Sequence, residues 1–309
     1  MNFLITGGAG FIGSNLARII LERGDSVRIL DDMSTGKYEN IHGLDVDMIE
    51  GDIRDEAVLR HAVKDMDYVL HHAAVSSVKM SLENPVYVND VNIMGSLKLL
   101  EASATAGLKG FVLASSAAVY GDDPVQPKCE AMTPKPLSPY AVSKLSIEYM
   151  CYHYSQFRGL PAKVLRYFNI FGPNQDPESE YSAVIPRFIR KFIDNENPIV
   201  YGDGLQTRDF LYVDNIADAI YRLIAHNGFI ISNLASGRSI SLLELIDLLK
   251  NISGTDEIIP EFKDARQADI KHSSADITMA RQQLGWTPKV DMKEGLERTF
   301  AYYRTKYAQ

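Results

Sequence analysis

Asn2-Phe3-Leu4-Ile5-Thr6-Gly7-Gly8-Ala9-Gly10-Phe11-Ile12-Gly13 is a short apolar strand that runs straight into a glycine-rich turn and then into a helical pattern. Strand, glycine turn and helix in that order form the arrangement that places a dinucleotide pyrophosphate against a helix N-terminus. Gly7 permits the tight turn, Gly10 lets the pyrophosphate approach the backbone, and Gly13 allows the helix to pack closely on the strand. The spacing is GxxGxxG rather than GxGxxG, and a glycine triad alone also serves as an ordinary turn. A second strand supplies the context. Ser26-Val27-Arg28-Ile29-Leu30 ends in Asp31-Asp32, about twenty residues on, where a carboxylate binds the ribose hydroxyls of an adenosine. A 2′-phosphate would meet that carboxylate, and Met33-Ser34-Thr35-Gly36 offers no arginine to receive it, so the pattern points to NAD rather than NADP.

Further along, Val46 to Glu50, Tyr68 to His71, Gly110 to Ala114 and Lys163 to Arg166 are short β-type runs. Helical patterns cover Glu56–Lys64, Pro85–Ala106 and Pro139–Phe157. Such alternation predicts right-handed crossovers and a doubly wound parallel sheet. With 309 residues, 46% of them hydrophobic, there is ample chain for a large core. A formal charge of −8 without a basic cluster argues against a nucleic-acid partner. Cys129 and Cys151 stand in neither CxxC nor zinc spacing, which predicts two reduced thiols in a cytoplasmic protein. Met1-Asn2 leads directly into the first strand and no apolar run approaches a span, so neither a signal peptide nor a membrane segment is expected. His71, His72 and His272 have no carboxylate or thiol at ligand spacing, and no metal is expected.

Tyr140-Ala141-Val142-Ser143-Lys144 carries the chemistry. A helix places the phenol and the ammonium on one face, and the ammonium favours the phenolate, which lowers a pKa of about 10 toward the working range of a base. Ser138-Pro139 reads as an N-cap followed by proline in the first turn, so the pair falls near the positive end of the helix dipole. Tyrosine and lysine at this spacing also occur on solvated helix faces. Ser116, at a strand end, is equally an ordinary residue unless Tyr140 lies beside it.

Taken together, these residues resemble the extended short-chain dehydrogenase/reductases, and within them the NAD-dependent nucleotide-sugar epimerases. The resemblance runs through Gly7–Gly13, Asp31-Asp32, Gly51-Asp52-Ile53, His71-His72-Ala73-Ala74, Asn92, Ser115-Ser116, Val119-Tyr120-Gly121 and Tyr140–Lys144. It continues in Arg166-Tyr167-Phe168-Asn169, Gly202-Asp203-Gly204, Arg208-Asp209-Phe210 and Val213-Asp214. It implies an α/β Rossmann-type fold with a doubly wound parallel sheet and a smaller C-terminal substrate-binding lobe. Residues 1–171 are expected to form the NAD-binding domain and 172–309 mainly the UDP-sugar lobe, with segments after about 210, Phe210–Ala225 among them, returning to the first. NAD contacts are implied at Gly7, Gly10, Phe11, Ile12, Gly13, Asp31, Asp32, Ser34, Thr35, Gly36, Asp52, Ile53, His71, Ala73, Ala74, Asn92, Tyr140, Lys144 and Tyr167.

By the same resemblance Ser116 hydrogen-bonds the reacting sugar hydroxyl, Tyr140 removes its proton, and Lys144 binds the nicotinamide ribose while lowering the tyrosine pKa. Hydride leaves sugar carbon 4 for NAD, and the 4-keto sugar turns its other face to take the hydride back. Dehydratases of the superfamily carry Asp-Glu where this chain has Ala117-Ala118, and a methyl group cannot exchange a proton. Many epimerases have threonine at Ala118, which leaves one contact in doubt. Arg208 and Arg266 match phosphate-binding arginines and Asn169 an amide contact. Ala183, with Val184 after it, stands where glucose-type members often have asparagine. Tyr201 falls where either a uracil contact or core packing is expected. Ser273 replaces a bulky tyrosine and leaves room for an N-acetyl group, while Ser76 and Ser77 replace a lysine and could bond the acetamide. The implied activity is 4-epimerisation of UDP-glucose/UDP-galactose and of their N-acetylated counterparts. A UDP-glucuronate epimerase or decarboxylase and a non-catalytic NAD-binding sensor remain the alternatives, and the resemblance implies a homodimer formed by the helices of Pro85–Ala106 and Pro139–Phe157.

Overall fold

The computed structural model describes residues 1–177, 183–265 and 271–307. Arg266 lies outside the described residues. Strands β1 (Asn2–Thr6), β2 (Ser26–Asp31), β3 (Asp47–Glu50), β4 (Tyr68–His71), β5 (Gly110–Ser116) and β6 (Ala162–Tyr167) alternate with helices α1 (Phe11–Glu22), α2 (Glu56–Ala62), α3 (Val78–Glu83), α4 (Pro85–Asn89), α5 (Ser96–Thr105) and α6 (Pro139–Phe157). These six strands are joined by β10 below in a seven-stranded parallel sheet of order β10-β6-β5-β4-β1-β2-β3. The order reverses direction beside β1, the switch point outside which ligands bind in open α/β sheets. Central strands are buried on both faces, which is why β5 reads as a near-continuous apolar run rather than an alternating one.

The glycines act as their positions require. Gly7 has φ +70°, and a Cβ on Gly13 would stand 2.3 Å from the Gly7 carbonyl oxygen, so only glycine lets α1 seat on the turn.

The helix expected over Pro85–Ala106 is interrupted. Between α4 and α5, residues Asp90–Gly95 form a π-helical turn. One widened turn rotates the faces relative to each other. Asn92 thereby reaches the segment after β4, accepting from the Val75 N–H at 2.8 Å and donating to the Val75 carbonyl at 3.1 Å and to Ser143 Oγ at 3.0 Å. Ser96, the first residue of α5, reaches the His71 ring. A period-3.6 reading has no means of seeing one extra residue in a turn.

The later chain adds β7 (Asn169–Phe171), α7 (Val184–Ile193), β8 (Ile199–Tyr201), β9 (Thr207–Tyr212), α8 (Asn215–Ala225), β10 (Ile231–Leu234), β11 (Ser239–Ser241), α9 (Leu242–Ser253), β12 (Glu261–Lys263), β13 (His272–Ser273), α10 (Thr278–Leu284) and α11 (Met292–Tyr307). Helix α8 packs against α1 and β5, and β10 pairs with β6 at the edge of the main sheet. Strand β9, which contains Phe210, instead joins β7, β11 and β13 in a small separate sheet. The return expected from Phe210 onward therefore begins with α8, because β9 is buried by pairing on both sides within the small sheet. Among the described residues no helix is long and apolar enough to cross a membrane.

Candidate active site

Helix α6 begins as its sequence dictates: Ser138 Oγ accepts from the Ala141 N–H at 3.2 Å and Pro139 occupies the first turn. The i, i+4, i+8 positions of one face are then Tyr140, Lys144 and Glu148, and each meets one of three consecutive residues at the end of β5. Tyr140 shares a hydrogen bond with the Ser116 hydroxyl. Lys144 Nζ donates to the Ala114 carbonyl at 2.9 Å, and Ser115 Oγ donates to Glu148 at 2.5 Å. Ser116 Oγ also accepts from the Ala118 N–H at 3.1 Å, capping the short turn Ala117–Tyr120 and fixing the direction of its own lone pairs.

Burial sets the electrostatics. Lys144 Nζ stands 6.0 Å from the Tyr140 ring centroid, and desolvation brings the lysine down to about 8, against a smaller upward pull from Glu148. Desolvation raises the Tyr140 phenol, opposed by its bond to Ser116. Burial thus acts against the lowering expected from the lysine. Burial disfavours the phenolate, and the ammonium lies one helical turn away rather than in contact.

The glycine turn presents a second set of groups. Gly10 supplies no side-chain cap to α1, which leaves the first-turn N–H groups open to an anion. Buried Asp31 accepts from the Ala9 N–H at 2.9 Å and the Met33 N–H at 3.0 Å, so it braces the turn that carries it, and desolvation raises its carboxyl. Asp32 accepts from the Ser34 N–H and Oγ at 3.0 and 2.6 Å. A Cβ on Gly36 would fall 2.7 Å from an Asp31 oxygen and 2.9 Å from the Ala9 Cβ, so a larger residue there would displace one of them. Asp52 is held by Arg54, and Ile53 is buried beside it.

Other expected cofactor contacts sit differently. Both His71 ring nitrogens are engaged inside the sheet, with Thr6 Oγ1 at 2.7 Å and Ser96 Oγ at 2.6 Å, and desolvation holds the ring well below its ordinary value. Its imidazole links β1 to α5. The neighbouring His72, which the sequence reading assigned no role, pairs Nε2 with the Tyr167 hydroxyl at 3.0 Å and is lowered by burial to about 4. Ser77 caps α3 through the Met80 N–H at 3.0 Å, so its oxygen is already engaged, whereas Ser76 is exposed.

The remaining candidates gather on the small sheet. Ser273 on β13 is the register partner of Arg208 on β9, and Asn169 on β7 is the partner of Phe210 and donates to the Asp209 carbonyl at 3.0 Å. Ala183 precedes α7, which starts at Val184, and Tyr201 ends β8. Two further residues organise this corner without having stood out in the sequence. The fully buried Asp209 carboxylate accepts from Ser236 N–H and Oγ, from Gly237 N–H and from Ala275 N–H. Gln126 brackets Ser273, with Nε2 donating to the His272 carbonyl at 2.9 Å and Oε1 accepting from Ser274 N–H and Oγ at 3.1 and 3.0 Å. The Arg208-Asp209-Phe210 motif was the available signal for the first. Nothing local marks the second, 148 residues from its partner.

Residues 3–234 match the NAD dependent epimerase/dehydratase family. A putative UDP-glucose 4-epimerase of Methanocaldococcus jannaschii is 38% identical over 298 residues, 96% of each chain. Among solved structures, UDP-glucose 4-epimerase from Thermotoga maritima, with UDP-glucose, is 37% identical with a TM-score of 0.93 over 99% of both chains. A UDP-N-acetylglucosamine 4-epimerase from Methanobrevibacter ruminantium, in complex with UDP-N-acetylmuramic acid, is 38% identical with a TM-score of 0.93, covering 99% of this chain and 98% of that one.

Proposed function

Since this chain belongs to the NAD dependent epimerase/dehydratase family, we propose that it interconverts the C4 epimers of UDP-hexoses and that it accepts N-acetylated as well as plain sugars. NAD is the cofactor of the family. The uncapped start of α1 suits a pyrophosphate, and the glycine turn, Asp31 and Asp32 would hold the adenosine side of the molecule. When bound, NAD supplies a reversible hydride acceptor for sugar carbon 4.

The protein's own part is proton transfer and positioning. The observation that carries the reading is the set at the carboxyl end of β5, a buried Lys144 beside half-buried Ser116 and Tyr140 that share a hydrogen bond. Ser116 orients a sugar hydroxyl, since its oxygen is fixed by the Ala118 N–H. Tyr140 takes the hydroxyl proton and later returns it, and the Lys144 ammonium favours the phenolate at the moment of transfer. Ala117 and Ala118 supply no further acid or base, so elimination of water has no proton donor there. Arg208 offers the pyrophosphate a planar fork. Ser273 stands beside Arg208 in register, and its small side chain would leave room for an acetamido group.

The second copy of the chain completes this reading. Val142, Tyr149 and Tyr152 on α6 and Val86 on α4 are 44, 64, 48 and 79% exposed, an apolar surface of the kind a two-fold helical interface covers. Light scattering should return a dimer mass. With two reduced thiols, Cys129 and Cys151, we place the enzyme in the cytoplasm.

The direct test incubates purified protein, with no reductant added, separately with UDP-glucose, UDP-N-acetylglucosamine and UDP-glucuronate, and quantifies the 4-epimers by chromatography. Conversion of the first two is expected. Conversion of UDP-glucose alone removes the acetylated part of the proposal, and conversion of UDP-glucuronate alone replaces the substrate class. No conversion of any sugar favours the sensor reading.

A further inference from the structure

Glu148 follows Lys144 by four residues on the same face of α6, where it is 2% exposed. A buried carboxylate needs partners, and this one has three donors. Arg166 on β6, 4% exposed, gives Nε at 3.0 Å and Nη2 at 2.7 Å, and Ser115 gives its hydroxyl at 2.5 Å. Arg166 is itself the register partner of Ser115, so the fork grips the strand end that carries Ser116. Its other side lies over the Tyr120 ring at 4.8 Å.

The charges facing Lys144 are few. From the end of β4 and the residue after it come His71 and His72, both driven toward the neutral form by burial. The π-helical turn presents the uncharged Asn92 and β5 the hydroxyls of Ser115 and Ser116, while β6 brings Arg166 and Tyr167. On α6 itself stand Tyr140, Glu148 and Cys151. Among the described residues Glu148 is the anion that pulls Lys144 upward against desolvation. It meets Lys144 across a single helical turn in a site with little water to screen it.

We propose that Glu148 is a positioning residue of the reaction: gripped by Arg166 and Ser115, it keeps Lys144 charged and in register with the end of β5, and through Lys144 it sets how readily Tyr140 ionises. The inference rests on the reading of Tyr140 as the base. Ser115 and Ser116 point to opposite faces of β5. Glu148 therefore acts behind the strand, without touching substrate.

The test titrates the Tyr140 phenolate by near-ultraviolet absorbance of NAD-loaded protein, isolating this tyrosine as the difference between each protein and its Tyr140→Phe version. In Glu148→Gln the midpoint should move upward by about one pH unit, because a weaker ammonium favours the phenolate less. Glu148→Asp keeps the charge and should keep the parental midpoint. Because Glu148→Gln leaves the Arg166 cation buried without a counter-charge, Glu148→Gln with Arg166→Gln provides the second variant, with the same upward direction expected. An unmoved midpoint in either neutralised protein overturns the proposal, as does an equal shift in Glu148→Asp, which would assign the effect to packing. If neither neutralised protein folds, the pair is a structural brace and the proposal is withdrawn. Absence of epimerase activity in the parent overturns the functional reading alone, since the midpoint is measured without turnover.

Discussion

The end of β5 against α6 and the corner where β9 meets β13 are built on opposite plans. In the first, a 19-residue helix and two strands of the main sheet bury Lys144, Glu148, Ser115 and Arg166 between them, and regular secondary structure holds the side chains that meet there. In the second, a two-residue strand and a loop are held by side chains: Gln126 on either side of Ser273, Ser239 Oγ on the Ser273 carbonyl at 3.0 Å, and Asp209 beneath Ala275. Proton transfer needs geometry fixed to fractions of an ångström, which buried packing supplies. Choosing between sugars needs only volume and a few polar contacts, which a lightly held edge can supply.

The largest expected effect falls on the rigid region. Tyr140→Phe should lower kcat by about 10³-fold while leaving NAD content unchanged, since a positioned acid–base group contributes roughly 10²–10⁴-fold. A loss below about tenfold would mean that the proton leaves by another route. At the adaptable corner, Ser273→Tyr should remove about 100-fold in kcat/KM for UDP-N-acetylglucosamine and leave UDP-glucose within about twofold, the scale on which pocket volume discriminates. Parallel steady-state assays on the two sugars decide this, and equal losses would show that the corner is as indivisible as the catalytic row.

A smaller effect separates the two regions by pH. Lys144 sits below its ordinary value, at about 8, through desolvation, so its charge is present under acid and neutral conditions and is lost as pH rises through about 8. Activity on both sugars should decline together above that pH, by up to about tenfold per unit. The ratio between sugars should stay constant, because no titrating group of the row contacts the selecting residue. A ratio that changes with pH would join the two regions. Smallest of all, Gln126→Ala should alter the ratio of acetylated to plain turnover by about threefold and cost about 1 kcal/mol of stability, the worth of partly exposed hydrogen bonds. Thermal unfolding together with the two assays measures it, and an unchanged ratio would remove Gln126 from the positioning of Ser273.

Much of the first region was legible in the chain. Glycine conformation, strand alternation, and the cap at Ser138 are local properties, and helical spacing alone aligns Tyr140 with Lys144. Glu148 continues the same spacing and was readable in principle, but its role depended on Arg166 arriving from another strand. The π-helical turn escaped because it changes the count of residues per turn without changing their types. Ser77 and His71 were read for ligand contacts, and the partners that the structure gives their side chains, the Met80 N–H for the first and Thr6 and Ser96 for the second, lie outside any local spacing rule for such contacts.

What the sequence by itself determined is the Rossmann-type sheet, the dinucleotide turn and the Tyr140–Lys144 pair, because each depends on contacts within a few residues or on a period along one element. The tertiary structure alone decided that burial raises the Tyr140 phenol, that Glu148 and Arg166 meet behind β5, and that Gln126 brackets Ser273. Those outcomes depend on burial and on pairs of residues far apart in the chain, and neither is encoded in local spacing.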